Sequence, residues 1–154
     1  MTWGMHAVAL IETDGPHSAE VSSNFNRSFS NAQHPFLVWT ETPTGGTTNF
    51  LTGVGGFLQT VLFGLPGLRV WSDRLAIHPQ LVEGMTSVKA RGVHYQGRVF
   101  DLSFDATEMS IELKSGGPLS VTDAEGAVFA VAVGKKATLP AGEAAIRAVA
   151  VRGQ

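Results

Sequence analysis

Residues 88–104, VKARGVHYQGRVFDLSF, carry the clearest structural pattern in this 154-residue chain. Apolar and polar side chains alternate on both sides of Gln96-Gly97, which is typical of strands that bury one face. Two alternating runs joined by a short turn containing glycine predict a β-hairpin. The pattern therefore predicts an antiparallel sheet in this part of the chain.

The same alternation continues on both sides of this hairpin. Residues 68–71 and 75–77 flank a Ser72-Asp73 turn and predict another hairpin. Further short runs of this kind are Met109 to Leu113, Leu119 to Val121, Val128 to Val133, Ala137 to Leu139 and Ala145 to Val151. Many short strands with turns roughly every 8–12 residues are typical of a β-sandwich or barrel. Residues 67–154 are accordingly predicted to form an all-β module.

The chain before this module has helical patterns instead. Residues 2–13 are apolar on nearly all sides, which is typical of an interior helix. Residues 16–31 predict a second helix, with Pro16 suited to its first turn. Its apolar side chains recur every four residues, at Val21, Phe25 and Phe29.

Residues 49–64 predict a third helix, which contains three glycines within four residues, at Gly53, Gly55 and Gly56. Glycine inside a helix costs about 1 kcal/mol relative to alanine, so this cluster predicts close packing against a neighbour or a ligand. The segment before this helix, residues 32–48, contains two prolines, two glycines and several threonines. It is predicted to be a long loop, and long loops within compact domains are often functional.

Charge is distributed unevenly between the two parts of the chain. Residues 1–66 hold five charged residues and residues 67–154 hold the other 19, about 8% against about 22%. Helices with so little charge have no polar outer face, and exposed apolar surface of that extent marks an interface. We therefore expect residues 1–66 to be covered, either by a second copy in an oligomer or by an N-terminal domain whose last helices they are.

Composition excludes several classes of function. A formal net charge of −2 and a pI of about 6.2 predict no nucleic-acid partner. The absence of cysteine excludes disulfides, iron–sulfur clusters and thiolate zinc sites. The five histidines follow no metal-binding spacing and no cofactor motif is present, so neither a metal nor a cofactor is predicted.

The uncharged stretch 42–68 raises the question of a membrane span. Its apolar core, residues 50–65, has 16 residues and includes threonine, glutamine and four glycines. A spanning helix needs about 20 predominantly apolar residues, so a buried helix and no membrane partner are predicted. No basic segment precedes the first apolar run, which argues against a signal peptide. Together with the absence of cysteine, this favours the cytoplasm.

Two motifs resemble glycoside hydrolase family 65, in particular its acid trehalase-like branch. They are PFLVWTE at residues 35–41 and NFLTGVGGFLQ at residues 49–59. Two further stretches that fit the same family are FGLPGLRV at 63–70 and VHYQG at 93–97. The resemblance covers about residues 1–105.

The resemblance implies an α+β chain: the end of an (α/α)6-barrel, about three helices within residues 1–66, followed by a C-terminal β-sandwich at 67–154. It implies the C-terminal part of an inverting α-glucoside hydrolase, acting on an α-glucoside or oligosaccharide. Such enzymes place a general acid and a general base about 6.5–9.5 Å apart. No motif for the acid is recognised here, so the chain alone is expected to be inactive.

The resemblance assigns the general base to Glu41, which follows Trp39-Thr40. Phe36 and Trp39 are candidates for a wall that stacks on a sugar ring, or they only anchor the loop. Thr48 and Asn49 are candidates for binding sugar hydroxyls, or they cap the third helix. Related phosphorylases hold phosphate with polar residues at the start of this helix. Here the matching positions are Phe50 and Gly53, which favours water as the acceptor.

A second hypothesis comes from a different class of protein. The chain is then a non-catalytic carbohydrate-binding or structural module, in which the β-sandwich is the working part. Its apolar helices mediate association with a partner.

Overall fold

The computed structural model describes residues 2–149. Within them the chain forms two compact units, residues 2–65 with 82–84 and residues 66–81 with 85–149. The first unit contains the helices and the second contains most of the strands. The predicted α+β class, with three helices and a C-terminal β-sandwich, is confirmed.

Three α-helices are present where three were predicted. They are α1 (Trp3–Asp14), α2 (Ala19–Phe29) and α3 (Leu51–Gln59), and α3 continues into a π-helical segment, Thr60–Gly64. The prediction that Pro16 lies in the first turn of α2 is wrong. Ser18 caps this helix instead, because its Oγ accepts a hydrogen bond of 3.1 Å from the backbone N–H of Val21.

The segment predicted to be a long loop is a small antiparallel sheet, so that prediction is wrong. Its strands are β1 (Ala32–Gln33), β2 (Val38–Thr42) and β3 (Gly45–Thr48), in the order β1-β2-β3. Thr42 pairs with Gly45, so Pro43-Thr44 forms a two-residue turn between β2 and β3. Threonine favours strands, and the same residues that suggested a loop therefore supply a hairpin.

The glycines of α3 face neighbours at two of three positions. A Cβ built on Gly4 of α1 would lie 2.7 Å from the carbonyl oxygen of Gly56, so the two helix backbones meet there. A Cβ on Gly53 would lie 2.9 Å from the Trp39 indole, whereas Gly55 has no neighbour within 4 Å. The opposite face of this helix is open, and Leu51 is 78% exposed. The close packing predicted from the glycines is confirmed at Gly53 and Gly56.

The second unit contains two antiparallel sheets. The five-stranded sheet has the order β10-β9-β12-β5-β4 and the four-stranded sheet the order β11-β8-β7-β6. The strands are β4 (Arg69–Val70), β5 (Leu75–Ile77), β6 (Ser87–Tyr95), β7 (Arg98–Asp105), β8 (Glu108–Ser115), β9 (Leu119–Asp123), β10 (Val128–Val131), β11 (Lys136–Pro140) and β12 (Ala144–Ala148). Both predicted hairpins are confirmed. The end of the last predicted strand, at residues 150 and 151, lies outside the described residues.

The core of the second unit follows the alternation seen in the sequence. Phe100, Leu102 and Phe104 of β7 are buried, and the residues between them are only partly buried. The turn before β7 has positive φ at both Gln96 (46°) and Gly97 (72°), as a tight type I′ turn requires. This turn fixes the register of β6 on β7 and thereby directs the apolar side chains into the core.

The β7–β8 turn is fastened by Asp105. Its Oδ1 accepts the backbone N–H groups of Glu108 (2.9 Å) and Thr107 (2.7 Å), and also the Thr107 hydroxyl at 2.7 Å. The hydrogen bond from the Glu108 backbone, followed by those from Thr107, lowers the pKa of Asp105 below its usual 3.8. A carboxylate with a lowered pKa stabilises the fold above its unfolded pKa, and the contribution disappears as pH falls through the folded pKa.

We expect Asp105→Ala to lower the free energy of unfolding of this unit at pH 7. The deficit relative to wild type should shrink as pH falls from about 4 through the lower pKa of the folded carboxylate, because the wild type then loses the charge that these hydrogen bonds stabilise. Urea denaturation at several pH values, followed by NMR signals of β7 and β8, measures this. Glu125→Ala, at an exposed position in the β9–β10 turn, is the control. A deficit that is constant from pH 7 to pH 2 would contradict the assignment.

Candidate active site

Glu41 lies on β2 opposite an irregularity of β3. Thr40 pairs with Thr48 and Thr42 pairs with Gly45, so the single residue Glu41 faces two residues of β3, Gly46 and Thr47. This two-against-one arrangement is a β-bulge. Gly46 has a φ of 82°, in the left-handed region that glycine adopts without strain.

Two hydrogen bonds hold Glu41 in this position. The backbone N–H of Thr47 donates to its Oε2 at 3.4 Å. The side-chain amide of Asn31, which is buried, donates from Nδ2 to the backbone carbonyl of Glu41 at 3.0 Å. The carboxylate itself is exposed within the described chain.

Thr40, the residue before Glu41, is buried in a polar network. Its Oγ1 donates to the carbonyl of Thr42 at 2.7 Å and accepts from Gln33 Nε2 at 3.2 Å. Its backbone N–H donates to the carbonyl of Asn31 at 3.0 Å. Successive side chains of a strand point to opposite faces, so burying Thr40 places Trp39 and Glu41 together on the other face of β2.

Trp39 and Glu41 line one small cavity, which has a volume of about 30 Å³. This volume is sufficient for about one water molecule. Its other side chains are mostly aromatic and polar, among them Phe57, Asn31 and Arg27. Among the described residues that line it, Glu41 carries the only carboxylate.

The Trp39 indole forms an aromatic wall of this cavity. It packs on Phe57 with ring centroids 5.5 Å apart, and Phe57 in turn contacts Phe25 and Phe29. Phe36 is 85% exposed and is not among the residues lining this cavity. The structure therefore brings Trp39, but not Phe36, beside Glu41.

Thr48 and Asn49 are both exposed, and neither caps α3. Phe50 is the N-cap residue of that helix, and its side chain makes no capping hydrogen bond. The interpretation of Thr48 and Asn49 as caps is therefore wrong. Thr48 is instead used in the pairing with Thr40, and Asn49 has a φ of 55° between β3 and the helix.

Phe50 and Gly53 both line the cavity. A Cβ on Gly53 would lie 2.9 Å from both Trp39 and Phe50, so a larger residue does not fit at this position without movement of an aromatic ring. The Phe50 backbone N–H donates to the Trp39 carbonyl at 2.9 Å, which joins the beginning of α3 to β2.

Sequence reasoning missed several residues of this site, among them Asn31, Arg27 and Gly46. Asn31 contacts Glu41 across ten residues of sequence, and no local pattern indicates that contact. The sequence did contain a signal for Arg27, because it is the only lysine or arginine among residues 1–66. Gly46 is one of two adjacent glycines that had been attributed to a loop.

The described part of the chain offers no alternative site based on a metal or a membrane. Among residues 2–149, no three histidine, aspartate or glutamate side chains are grouped closely enough to hold a metal ion. No described helix has the length and apolar character needed to cross a bilayer.

Comparison with known proteins locates the chain in a family. Residues 68–138 match the sequence model of the C-terminal domain of glycosyl hydrolase family 65. This segment belongs to glycosyl hydrolase family 65. The family predicted from the sequence motifs is thereby confirmed, and the family 65 domain coincides with strands β4 to β11 of the second unit.

Relatives of this chain extend the match into the helical unit. Protein-glucosylgalactosylhydroxylysine glucosidase of Dictyostelium discoideum is 44% identical over 119 residues, which is 77% of this chain and 16% of the relative. Acid trehalase of Emericella nidulans is 29% identical over 134 residues, 80% of this chain and 13% of the relative. The chain thus spans about one-eighth to one-sixth of the length of these curated relatives.

A solved structure shares the fold of this chain. A putative kojibiose phosphorylase from the human microbiome superposes with a TM-score of 0.69 at 12% sequence identity. The superposition covers 90% of this chain and 19% of the phosphorylase. At this identity the similarity establishes the fold and leaves the reaction open.

Proposed function

We propose that this chain is the C-terminal part of an inverting α-glucoside hydrolase and that Glu41 is its general base. One observation carries the proposal: Glu41 supplies the only carboxylate among the described residues lining a cavity of about 30 Å³. That volume accommodates one water molecule, and an inverting hydrolase needs one water beside its base.

In the proposed reaction, Glu41 removes a proton from this water as the water attacks the anomeric carbon. Attack comes from the face opposite the leaving oxygen, so the configuration at that carbon inverts. Trp39 packs against the apolar face of the glucose ring. The other candidate residues, Phe36, Thr48 and Asn49, are exposed. We assign them to contacts with more distant parts of an oligosaccharide.

The general acid must be a residue other than those described as lining this cavity. The second carboxyl of an inverting enzyme lies about 6.5–9.5 Å from the first, and the resemblance to the family indicates no such residue in this chain. We therefore propose that the chain alone is inactive. Residues 1–66 then act as the last helices of an (α/α)6-barrel, and residues 67–154 as the β-sandwich.

The open face of α3 supports a covering partner for residues 1–66. Leu51 is 78% exposed and Leu58 is 50% exposed, and apolar side chains at this density favour contact with protein. The partner is the rest of a catalytic domain or a second copy of this chain.

Phe50 and Gly53 support water as the acceptor. Neither residue provides a hydrogen-bonding side chain for phosphate, and the aromatic rings around Gly53 leave no space for one. A phosphorolytic reaction would require an anion site at this position, so hydrolysis is the favoured outcome.

A chimera tests the proposal. The matched 119 residues of the Dictyostelium relative are replaced by the corresponding residues of this chain. We expect the chimera to hydrolyse an α-glucoside and to release β-glucose, identified by NMR immediately after cleavage, while the chain alone shows no turnover. Release of α-glucose would contradict inversion, and turnover by the chain alone would contradict its inactivity. Sugar binding by the chain together with an inactive chimera would favour the non-catalytic module.

A further inference from the structure

Glu41 is held by groups that have no part in the proposed chemistry. We propose that the Gly46–Thr47 bulge of β3 positions the Glu41 carboxylate, by binding one of its oxygens and leaving the other for the water. This inference rests on the proposed function of Glu41. Neither bulge residue is among those lining the cavity, so both act through Glu41 and are positioning residues.

The bulge supplies the hydrogen-bond donor. In a regular ladder one residue of β3 would face Glu41, but here Gly46 and Thr47 both do. The extra residue frees the Thr47 N–H from the ladder, and it donates to Glu41 Oε2 at 3.4 Å. A bulge commonly redirects a side chain beside an active site.

Gly46 supplies the space that the carboxylate occupies. A Cβ built on Gly46 would lie 3.1 Å from Glu41 Oε2 and 3.0 Å from Glu41 Cβ. The φ of 82° at Gly46 is also one that alanine adopts only with strain. Alanine at this position therefore strains the backbone, and the Glu41 side chain must shift by a few tenths of an ångström to admit the new Cβ.

Asn31 completes the arrangement from the other side. Its amide fixes the backbone carbonyl of Glu41 at 3.0 Å, whereas the bulge fixes the end of the side chain. A carboxylate fixed at both its backbone and one oxygen has few remaining rotamers. With Oε2 bound by the bulge, Oε1 is the oxygen left for the water, and proton transfer requires a positioned base of this kind.

The hydrogen bond can be measured on the full chain without any activity. The Thr47 amide signal in a ¹⁵N-¹H spectrum should shift when acid protonates the Glu41 carboxylate. Arg27, the only other charged residue among the described residues that line this cavity, keeps its charge in acid. Glu41→Gln should abolish the shift, and its persistence in that variant would overturn the hydrogen bond.

Gly46→Ala tests the role of the bulge, and Gly126→Ala is its matched control. Gly126 has nearly the same φ, 86°, but a Cβ there meets nothing within 4 Å. Both variants incur backbone strain, but only Gly46→Ala should remove the pH-dependent shift of Thr47. If Gly46→Ala does not fold, Gly46→Asn replaces it, because asparagine tolerates positive φ. A Thr47 shift unchanged in the folded Gly46 variant would overturn the proposal.

The chimera separates this inference from the proposed function. Gly46→Ala should lower kcat at least about tenfold and leave KM within about twofold, because proton transfer suffers more than sugar binding. Suppose that Glu41→Gln loses the Thr47 shift but still hydrolyses the substrate at the normal rate. That result would overturn the assignment of Glu41 as general base, while the contact between Thr47 and Glu41 would still be supported. Loss of hydrolysis in Glu41→Gln with normal kcat in Gly46→Ala would overturn the positioning role alone.

Discussion

Replacing Glu41 with glutamine should lower kcat for α-glucoside hydrolysis by about 10²–10⁴-fold, the usual contribution of a general base. Glutamine has nearly the same shape and its amide oxygen still accepts the Thr47 N–H, but it cannot take a proton from water. KM should stay within a few-fold, because the substitution leaves Trp39 and the rest of the cavity in place. Steady-state kinetics of the chimera measure both constants.

The matched control for this prediction is Glu20→Gln. Glu20 lies in the first turn of α2 and is not one of the residues lining the cavity. The substitution removes the same charge as Glu41→Gln does. If Glu20→Gln lowers kcat equally, the loss in Glu41→Gln is due to the change in charge or to folding and not to a missing base. Full hydrolysis in Glu41→Gln would remove Glu41 from the reaction.

Phe100→Ala should cost about 3–5 kcal/mol of unfolding free energy in the second unit. Phe100 is fully buried on β7, where it pairs with Val93 of β6 and Leu113 of β8. Truncation removes a whole ring from between packed neighbours, which leaves a cavity that the sheets fill only partly. A loss of this size is comparable with the entire stability of many small domains.

The measurement must distinguish the two compact units, because a single transition is not assured in a chain of two units. Urea denaturation followed by NMR signals of β7 and β8 reports the second unit, and signals of α1 and α2 report the first. Val128→Ala, at an apolar position that is 67% exposed on β10, should cost less than about 1 kcal/mol. A similar loss in both variants would show that β7 is not the centre of this core.

The second unit was predictable because its signals are local. The turn at Gln96-Gly97 needs positive φ at two positions, and the alternation in residues 98–104 allows only one register in which Phe100 and Leu102 are buried. The local sequence of each strand therefore indicates where the strand begins and ends and which of its faces is buried. The pairing of distant strands, such as β12 with β9 and β5, is set by the packing of the whole unit instead.

Residues 32–48 were misread because composition cannot distinguish a loop from a short hairpin. Prolines and glycines mark both, and the threonines of β2 and β3 form a ladder only when paired. The candidate base followed from the Trp39-Thr40-Glu41 motif. The amide of Asn31 did not, because its contact with Glu41 depends on how the end of α2 meets β2.

Three of the residues that line the cavity are glycines, Gly4, Gly53 and Gly56. A Cβ on Gly4 would lie 2.7 Å from the Gly56 carbonyl oxygen, and a Cβ on Gly53 would lie 2.9 Å from Trp39, so a substitution at either glycine presses on the residues that form the cavity wall. No amino acid is smaller than glycine, so no substitution at the three glycines enlarges the cavity by shortening a side chain. Under the proposed function, variants that accept a bulkier nucleophile than water must gain that space at the aromatic walls, Trp39 and Phe57 among them.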